Sequence, residues 1–230
     1  MKELFKQFNI DLTDEMIAKF DKFFEMMIDY NKTTNLTAIT DKKEVWIKHF
    51  LDSVISASDI PENASVIDVG TGAGFPGIPL KIVRPDIKLT LVDSLNKRVI
   101  FLQQLCETLG IEAEIIHSRA EDLARTDKRE AFDVCVSRAV SSLVTLCEYC
   151  LPFVKPNGVF IAYKGAGAME EINSALYAMS VMGGYFAKEQ YFSLPENMGN
   201  RNILIIKKVD TTPTIYPRGQ NLPKLKPLVK

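Results

Sequence analysis

Histidine and cysteine are scarce, with two of the first (His49, His117) and four of the second in 230 residues. That scarcity removes several chemistries at once. No Ser-His-Asp set, H-E-x-x-H pair or P-loop is present. Cys147 and Cys150 form a C-x-x-C inside an apolar run (Leu143, Leu146, Leu151, Phe153). With no second cysteine pair or histidine cluster beside them, they read as core thiols, and no metal is expected. No apolar run approaches the roughly 18 residues needed to span a bilayer, so no membrane role is expected. The start, MKELFKQFNIDL, lacks an apolar signal core. Together with the few cysteines, this predicts a reduced, cytoplasmic protein. Neither sign of charge dominates: 28 Lys/Arg against 29 Asp/Glu leave −1, which argues against a generic nucleic-acid coat. The distribution is uneven. Residues 211–230 carry Arg218, Lys224, Lys226 and Lys230 and no acid. Their four prolines (Pro213, Pro217, Pro223, Pro227) predict an extended basic tail.

What is present is ordinary globular material, 47% apolar and 25% charged, enough for one large domain with an appendage. Residues 1–60 read as a helical extension. Thr13 is placed to cap a helix with Asp14 and Glu15 in its first turn, and Met16, Ile17, Phe20, Phe23, Phe24, Met27 and Ile28 recur at helical spacing. Asp41 and Glu44 form a capping-box pattern before a second, broadly apolar helix. From residue 61 to 210 the rhythm changes to short β-rich runs, 65–69, 87–92, 112–117, 132–136 and 158–163, alternating with helical stretches. Two strand-like runs, 185–194 and 202–209, follow with no helix between them. The pattern predicts a doubly wound α/β fold whose mostly parallel, seven-stranded sheet ends in an antiparallel pair.

The segment from Val66 to Pro79, VIDVGTGAGFPGIP, leaves the first strand and enters a helix. Read from Gly72 it matches the G-x-G-x-x-G of dinucleotide binders. Read from Gly70, with Asp68 two residues before, it has the G-x-G-x-G form of S-adenosylmethionine (SAM) methyltransferases. A carboxylate beneath the loop suits the cationic end of SAM and not a pyrophosphate, with a loop-bracing role for Asp68 as the alternative. The free N–H groups of the following helix are expected to face the ligand crevice. Asp93, at the end of the second strand, is placed to accept from ribose hydroxyls, or to cap the next helix. Ala120 and Glu121 follow the third strand, where adenine would lie. Arg138 and Lys164 end the fourth and fifth strands and put two cations on the same rim.

These residues resemble one family closely. Asn35–Ile39, His49–Ser53, Ile67–Leu80, Asp93–Arg98, Ser137–Ala139, Lys164-Gly165, Tyr216–Arg218 and Pro223–Leu228 match, in order, the small-subunit ribosomal RNA methyltransferase G family, also called glucose-inhibited division protein B. The resemblance implies the SAM-dependent (class I) methyltransferase fold and methylation of guanine N7 in the 530 loop of 16S rRNA. It implies SAM as donor and the small ribosomal subunit as partner; a monomer is expected. Together with the reading of the loop, it gives Gly70, Gly72, Phe75, Asp93, Ala120, Glu121 and Arg138 as cofactor-binding residues and no catalytic acid or base. A non-catalytic RNA-binding module and an NAD-dependent dehydrogenase are the alternatives.

Overall fold

The computed structural model describes residues 1–165 and 167–230. A short helix α1 (Lys2–Lys6) precedes α2 (Asp14–Asn31), which starts where the Thr13 side chain accepts from the Met16 amide at 3.2 Å. The Asp41 carboxylate likewise accepts from the Glu44 amide at 2.9 Å and opens α3 (Lys42–Val45). Glu44 does not complete the capping box; it pairs with Lys48 at 2.6 Å instead. The helix then widens to a π-turn over Trp46–Leu51 before resuming as α4 (Asp52–Val54). π-Turns often mark functional sites because the extra residue re-aims the side chains that follow.

The rest is one seven-stranded sheet: β1 (Ser65–Val69), β2 (Lys88–Asp93), β3 (Ala113–His117), β4 (Phe132–Arg138), β5 (Val154–Lys164), β6 (Gly184–Ser193) and β7 (Asn200–Lys208). The spatial order is β3-β2-β1-β4-β5-β7-β6. β1 to β5 pair in parallel, and β7 runs antiparallel to both β5 and β6. Alternation along each strand feeds two cores. Val66, Leu91, Val136, Ile161, Ile203 and Ile205 face the layer made by the N-terminal helices, α5 (Gly77–Val83) and α6 (Asn96–Leu109). Ile67, Val92, Cys135, Phe160, Leu204 and Ile206 face α8 (Leu143–Cys150) and α9 (Ala168–Val181). Burial on both faces is what a parallel sheet requires. Cys135, Cys147 and Cys150 are free thiols buried in the second core.

Residues 1–60 share the first core with the sheet. Phe5, Phe20, Trp46 and Phe50 form an aromatic cluster, which Phe23 extends by stacking on Phe75 of the glycine loop at 5.1 Å between ring centres. The C-terminal segment departs from the sequence expectation. It is not a free extended arm. Thr212 and Pro223 are buried, and residues 222–225 form the short helix α10. Prolines deny regular structure to the segment without denying it contacts: its carbonyls accept from Arg125 and Arg129 on the loop after α7 (Ala120–Leu123).

Candidate functional site

The C-terminal ends of β1, β2, β3 and β4 open onto a cavity of about 250 Å³. Gly70, Val92, Asp93, Ser94, Ala120, Glu121, Val140 and Tyr149 contribute to its lining. Four of the seven sequence-predicted binding residues, Gly70, Asp93, Ala120 and Glu121, therefore come together from three separate loops. Asp93 is 3% exposed and organises the site. Its Oδ1 accepts from the Leu95 amide at 2.9 Å; its Oδ2 accepts from the Gly72 amide at 2.9 Å and from Arg98 at 3.3 Å. Oδ1, with a single donor, keeps lone-pair capacity for a ligand hydroxyl, whereas Oδ2 already accepts twice. Asp93 braces the two turns and faces the cavity, but it does not cap the next helix: the N-cap of α6 is Leu95, with no side-chain cap hydrogen bond.

The glycine loop is wound so that most of its own donors are spent. The Gly70 and Thr71 amides donate to Val92 O, Gly74 and Phe75 to Thr71 O, Gly77 to Asp68 and Ile78 to Gly74 O. The free N–H groups expected at the start of α5 are thus already paired. A pyrophosphate needs a nest of unpaired amides, and this loop does not offer one. Gly72, at φ 62°, has open space where a Cβ would project. There a ligand can approach the backbone closely.

Asp68 lies beneath this loop and is fully buried. Its Oδ2 accepts from Thr71 Oγ1 at 2.7 Å and from the Gly77 amide at 2.8 Å, so the loop-bracing alternative describes what it does. Its Oδ1 has no partner. Burial raises its pKa to about 7 against the lowering effect of those two hydrogen bonds. Fully buried and absent from the lining of either cavity, the Asp68 carboxylate reaches a cationic group above the loop through its field alone.

Phe75 and Arg138 lie outside the first cavity. Phe75 is buried between Phe23 and His49, and the Arg138 guanidinium sits 4.8 Å above its ring. Arg138 lines a second cavity of about 300 Å³ with Lys48, His49, Asp52, Tyr163, Lys164 and Arg201. One loop separates the two cavities: Arg138 and Ala139 face the second, Val140 and Ser141 the first. The rim cations are not free. Arg138 donates to Asp52 Oδ2 at 3.0 Å and to His49 O at 3.3 Å, and Arg201 pairs with Asp52 Oδ1 at 3.0 Å. Lys164 donates to Ser141 O at 2.8 Å and to Glu171 at 2.7 Å, while Glu171 also accepts from the Leu143 amide. Lys164 is therefore a clamp on the intervening loop as well as a wall of the cavity.

Sequence reasoning missed Arg201 and underused Asp52. Nothing in the Asn-Arg-Asn context of Arg201 distinguishes it from a surface charge, and Asp52 turns inward only because of the π-turn before it. His49 sits on the same turn. Its Nε2 lies 2.9 Å from Thr37 Oγ1, and burial, aided by the Arg138 charge, drops its pKa to about 3. Unfolded, the ring takes a proton near pH 6.5; folded, it resists protonation until about pH 3. Its contribution to stability is therefore complete above pH 6.5 and is lost as pH falls toward 3. The expected result is that His49→Gln narrows the fall in melting temperature between pH 7 and pH 4. An identical fall in both proteins would show that His49 is not the group responsible. The other histidine, His117, is exposed and its Nε2 lies 3.0 Å from Ser94 O, at the edge of the first cavity.

The sheet order, the antiparallel seventh strand and a nucleoside-sized cavity at the C-terminal edge define a methyltransferase-type α/β domain. A methyltransferase from Pyrococcus furiosus shares the fold at a TM-score of 0.56, with 14% identity over 83% of this chain and 98% of its own. A SAM-dependent O-methyltransferase from Thermotoga maritima does so at 0.52, with 16% identity over 81% and 72%. Sequence is more specific than fold. The model of the family described as rRNA small subunit methyltransferase G matches residues 16–200, and the chain belongs to that family. Family members called ribosomal RNA small subunit methyltransferase G are 45% identical in Desulforamulus reducens, over 99% of this chain and 97% of that one, and 46% identical in Moorella thermoacetica, over 97% and 95%.

Proposed function

We propose that this protein transfers the methyl group of SAM to N7 of a guanine in the 530 loop of 16S rRNA, acting as a cytoplasmic monomer on the small ribosomal subunit. The observation that carries this reading is the pair of cavities on either side of the 138–141 loop, one lined by Asp93 and Glu121 with Arg119, Lys224 and small residues, the other by Lys48, Arg138, Lys164 and Arg201 around Asp52. In this reading Asp93 accepts from the ribose hydroxyls, Ala120 and Glu121 border the adenine, and Gly70 and Gly72 let the ligand approach the backbone. Arg138 faces the reacting end from the second cavity, with Phe75 packed beneath its guanidinium and toward the cofactor. The donor supplies an electrophilic methyl on a sulfonium.

Guanine N7 carries a free lone pair and no proton, so its methylation needs no general base. The groups present agree with that. His49 is held neutral with a pKa of about 3, which makes it a weak base, and Asp68 is walled off by Thr71 and Gly77. Arg138 stays protonated and positions without carrying a proton. Rate then rests on alignment and on the preorganised field of Arg138, Asp52 and Arg201. N7 lies on the Hoogsteen edge, out of reach in the deep major groove of A-form RNA, so the target must be a loop or splayed base.

Asp93→Ala is expected to weaken SAM binding by about 2 kcal/mol, since hydrogen bonds to ribose and the Gly72 tether are lost together. Calorimetric titration checks this, and unchanged affinity would reduce Asp93 to a turn brace. Equilibrium dialysis with SAM and NAD tests the ligand class: SAM is expected to bind and NAD is not. A non-catalytic RNA-binding module would transfer no label from SAM to small subunits in a single-turnover assay.

A further inference from the structure

Two residues of the C-terminal segment form part of the wall of the first cavity. Asn221 and Lys224 line it beside Glu121 and Tyr149, which belong to the body of the sheet domain. The contact is specific. The Asn221 amide donates to Glu121 Oε1 at 3.3 Å, the Tyr149 hydroxyl donates to Asn221 Oδ1 at 3.0 Å, and Thr145 donates to Pro223 O at 3.1 Å. Asn221 sits at φ 59°, a left-handed conformation that asparagine tolerates better than most residues.

Upstream, the segment is held along its whole length. Arg129 donates to the carbonyls of Thr212, Pro213 and Tyr216, and Arg125 to that of Pro217. Lys208, fully buried, reaches Thr212, Leu151 O and Glu130, and the Thr212 amide donates to Glu130 at 2.7 Å. The strongest tie is Arg218. Its amide and its guanidinium both reach Glu148, 1% exposed, at 2.7 to 3.2 Å, and its Nη2 also donates to Lys226 O at 2.8 Å, closing the 218–226 turn on itself. A segment meant to sweep for RNA would not spend one of its four cations on a buried carboxylate and cross the mouth of a nucleoside cavity.

We infer that residues 218–226 are a strap over the adenine end of the cofactor pocket, and that Asn221 is a cofactor-positioning residue acting through Glu121 and Tyr149. This rests on the reading of the first cavity as the SAM site and goes beyond it. The strap covers the nucleoside and fixes the side chain of Glu121, so its effect falls on SAM affinity and release, with the chemical step left to the other cavity.

The test compares the full chain with Asn221→Gly and with a chain ending at Pro217. Glycine accepts the left-handed backbone and removes only the side-chain link to Tyr149, so this variant keeps its fold. Titration calorimetry with SAM is expected to show about a fivefold loss of affinity for Asn221→Gly, the scale of one hydrogen bond, and a larger loss for the truncation. Small-subunit binding and its salt slope stay close to those of the full chain. SAM affinity unchanged in Asn221→Gly would overturn the strap. So would a truncated chain, folded by circular dichroism, that binds SAM normally but small subunits more weakly, with a flatter salt slope. Failure of the full chain itself to bind SAM would instead overturn the assignment of the cavity, a distinguishable result.

Discussion

Arg138→Ala is expected to lower single-turnover methylation of small subunits by about two orders of magnitude at saturating SAM and RNA, the scale seen when a preorganised charge is removed from a reacting centre. Arg138 joins four parts of the site: it pairs with Asp52, donates to His49 O, covers the Phe75 ring and lines the second cavity. Its loss leaves Asp52, 3% exposed, with Arg201 as its remaining partner. Breaking a buried pair costs about 3–5 kcal/mol when the other charge is left alone; Arg201 makes the loss smaller here, and melting must be measured beside activity. Arg138→Lys separates the two effects. It keeps the charge but not the planar fork that spans Asp52 and the His49 carbonyl, and is expected to restore stability more than rate. A folded Arg138→Ala protein with full single-turnover rate would remove Arg138 from the reacting centre.

Gly70→Val should abolish SAM binding, by at least about a hundredfold, while leaving the far-UV spectrum near native. Gly70 holds φ at 72°, where a β-branched residue is strained by about 1–3 kcal/mol. A Cβ there would also stand 2.6 Å from a methyl of Val140, which lines the first cavity, so the new side chain pushes that wall into ligand space. Gly72 is the contrast, since a Cβ there meets no protein atom within 4 Å. Gly72→Ala is therefore expected to lose affinity through the ligand and the backbone conformation, with little disturbance of packing. Dialysis against labelled SAM reads both variants, and full affinity in folded Gly70→Val would remove the loop from the site.

Much of this was legible in the sequence. The β-rich runs ending at Val69, Asp93 and His117 mark strands whose C-terminal ends carry the site, and Thr13 and Asp41 cap the helices their side chains announce. Asp93, Ala120 and Glu121 could be placed because each directly follows or ends a strand. What stayed hidden depends on partners far away in the chain. The π-turn at Trp46–Leu51 leaves no pattern, since its four apolar residues, Trp46, Ile47, Phe50 and Leu51, suit an α-helix as well. Lys164 and Arg138 read as free rim cations because Glu171 and Asp52 carry no sign that they will meet them. The glycine motif suggested open amides, yet Asp68 and Thr71 take them up. Proline spacing spoke for an extended tail because its anchors, Arg125, Arg129 and Glu148, lie 70 or more residues upstream and mostly grip main-chain groups.

The most direct measurement is a map of N7-methylguanosine in 16S rRNA from cells with and without this protein. The expected result is a single modified guanine in the 530 loop that disappears when the protein is absent and returns with the intact chain but not with Arg138→Ala. An unchanged map, or loss of a methyl group from an exocyclic amine or a ribose instead, would contradict it.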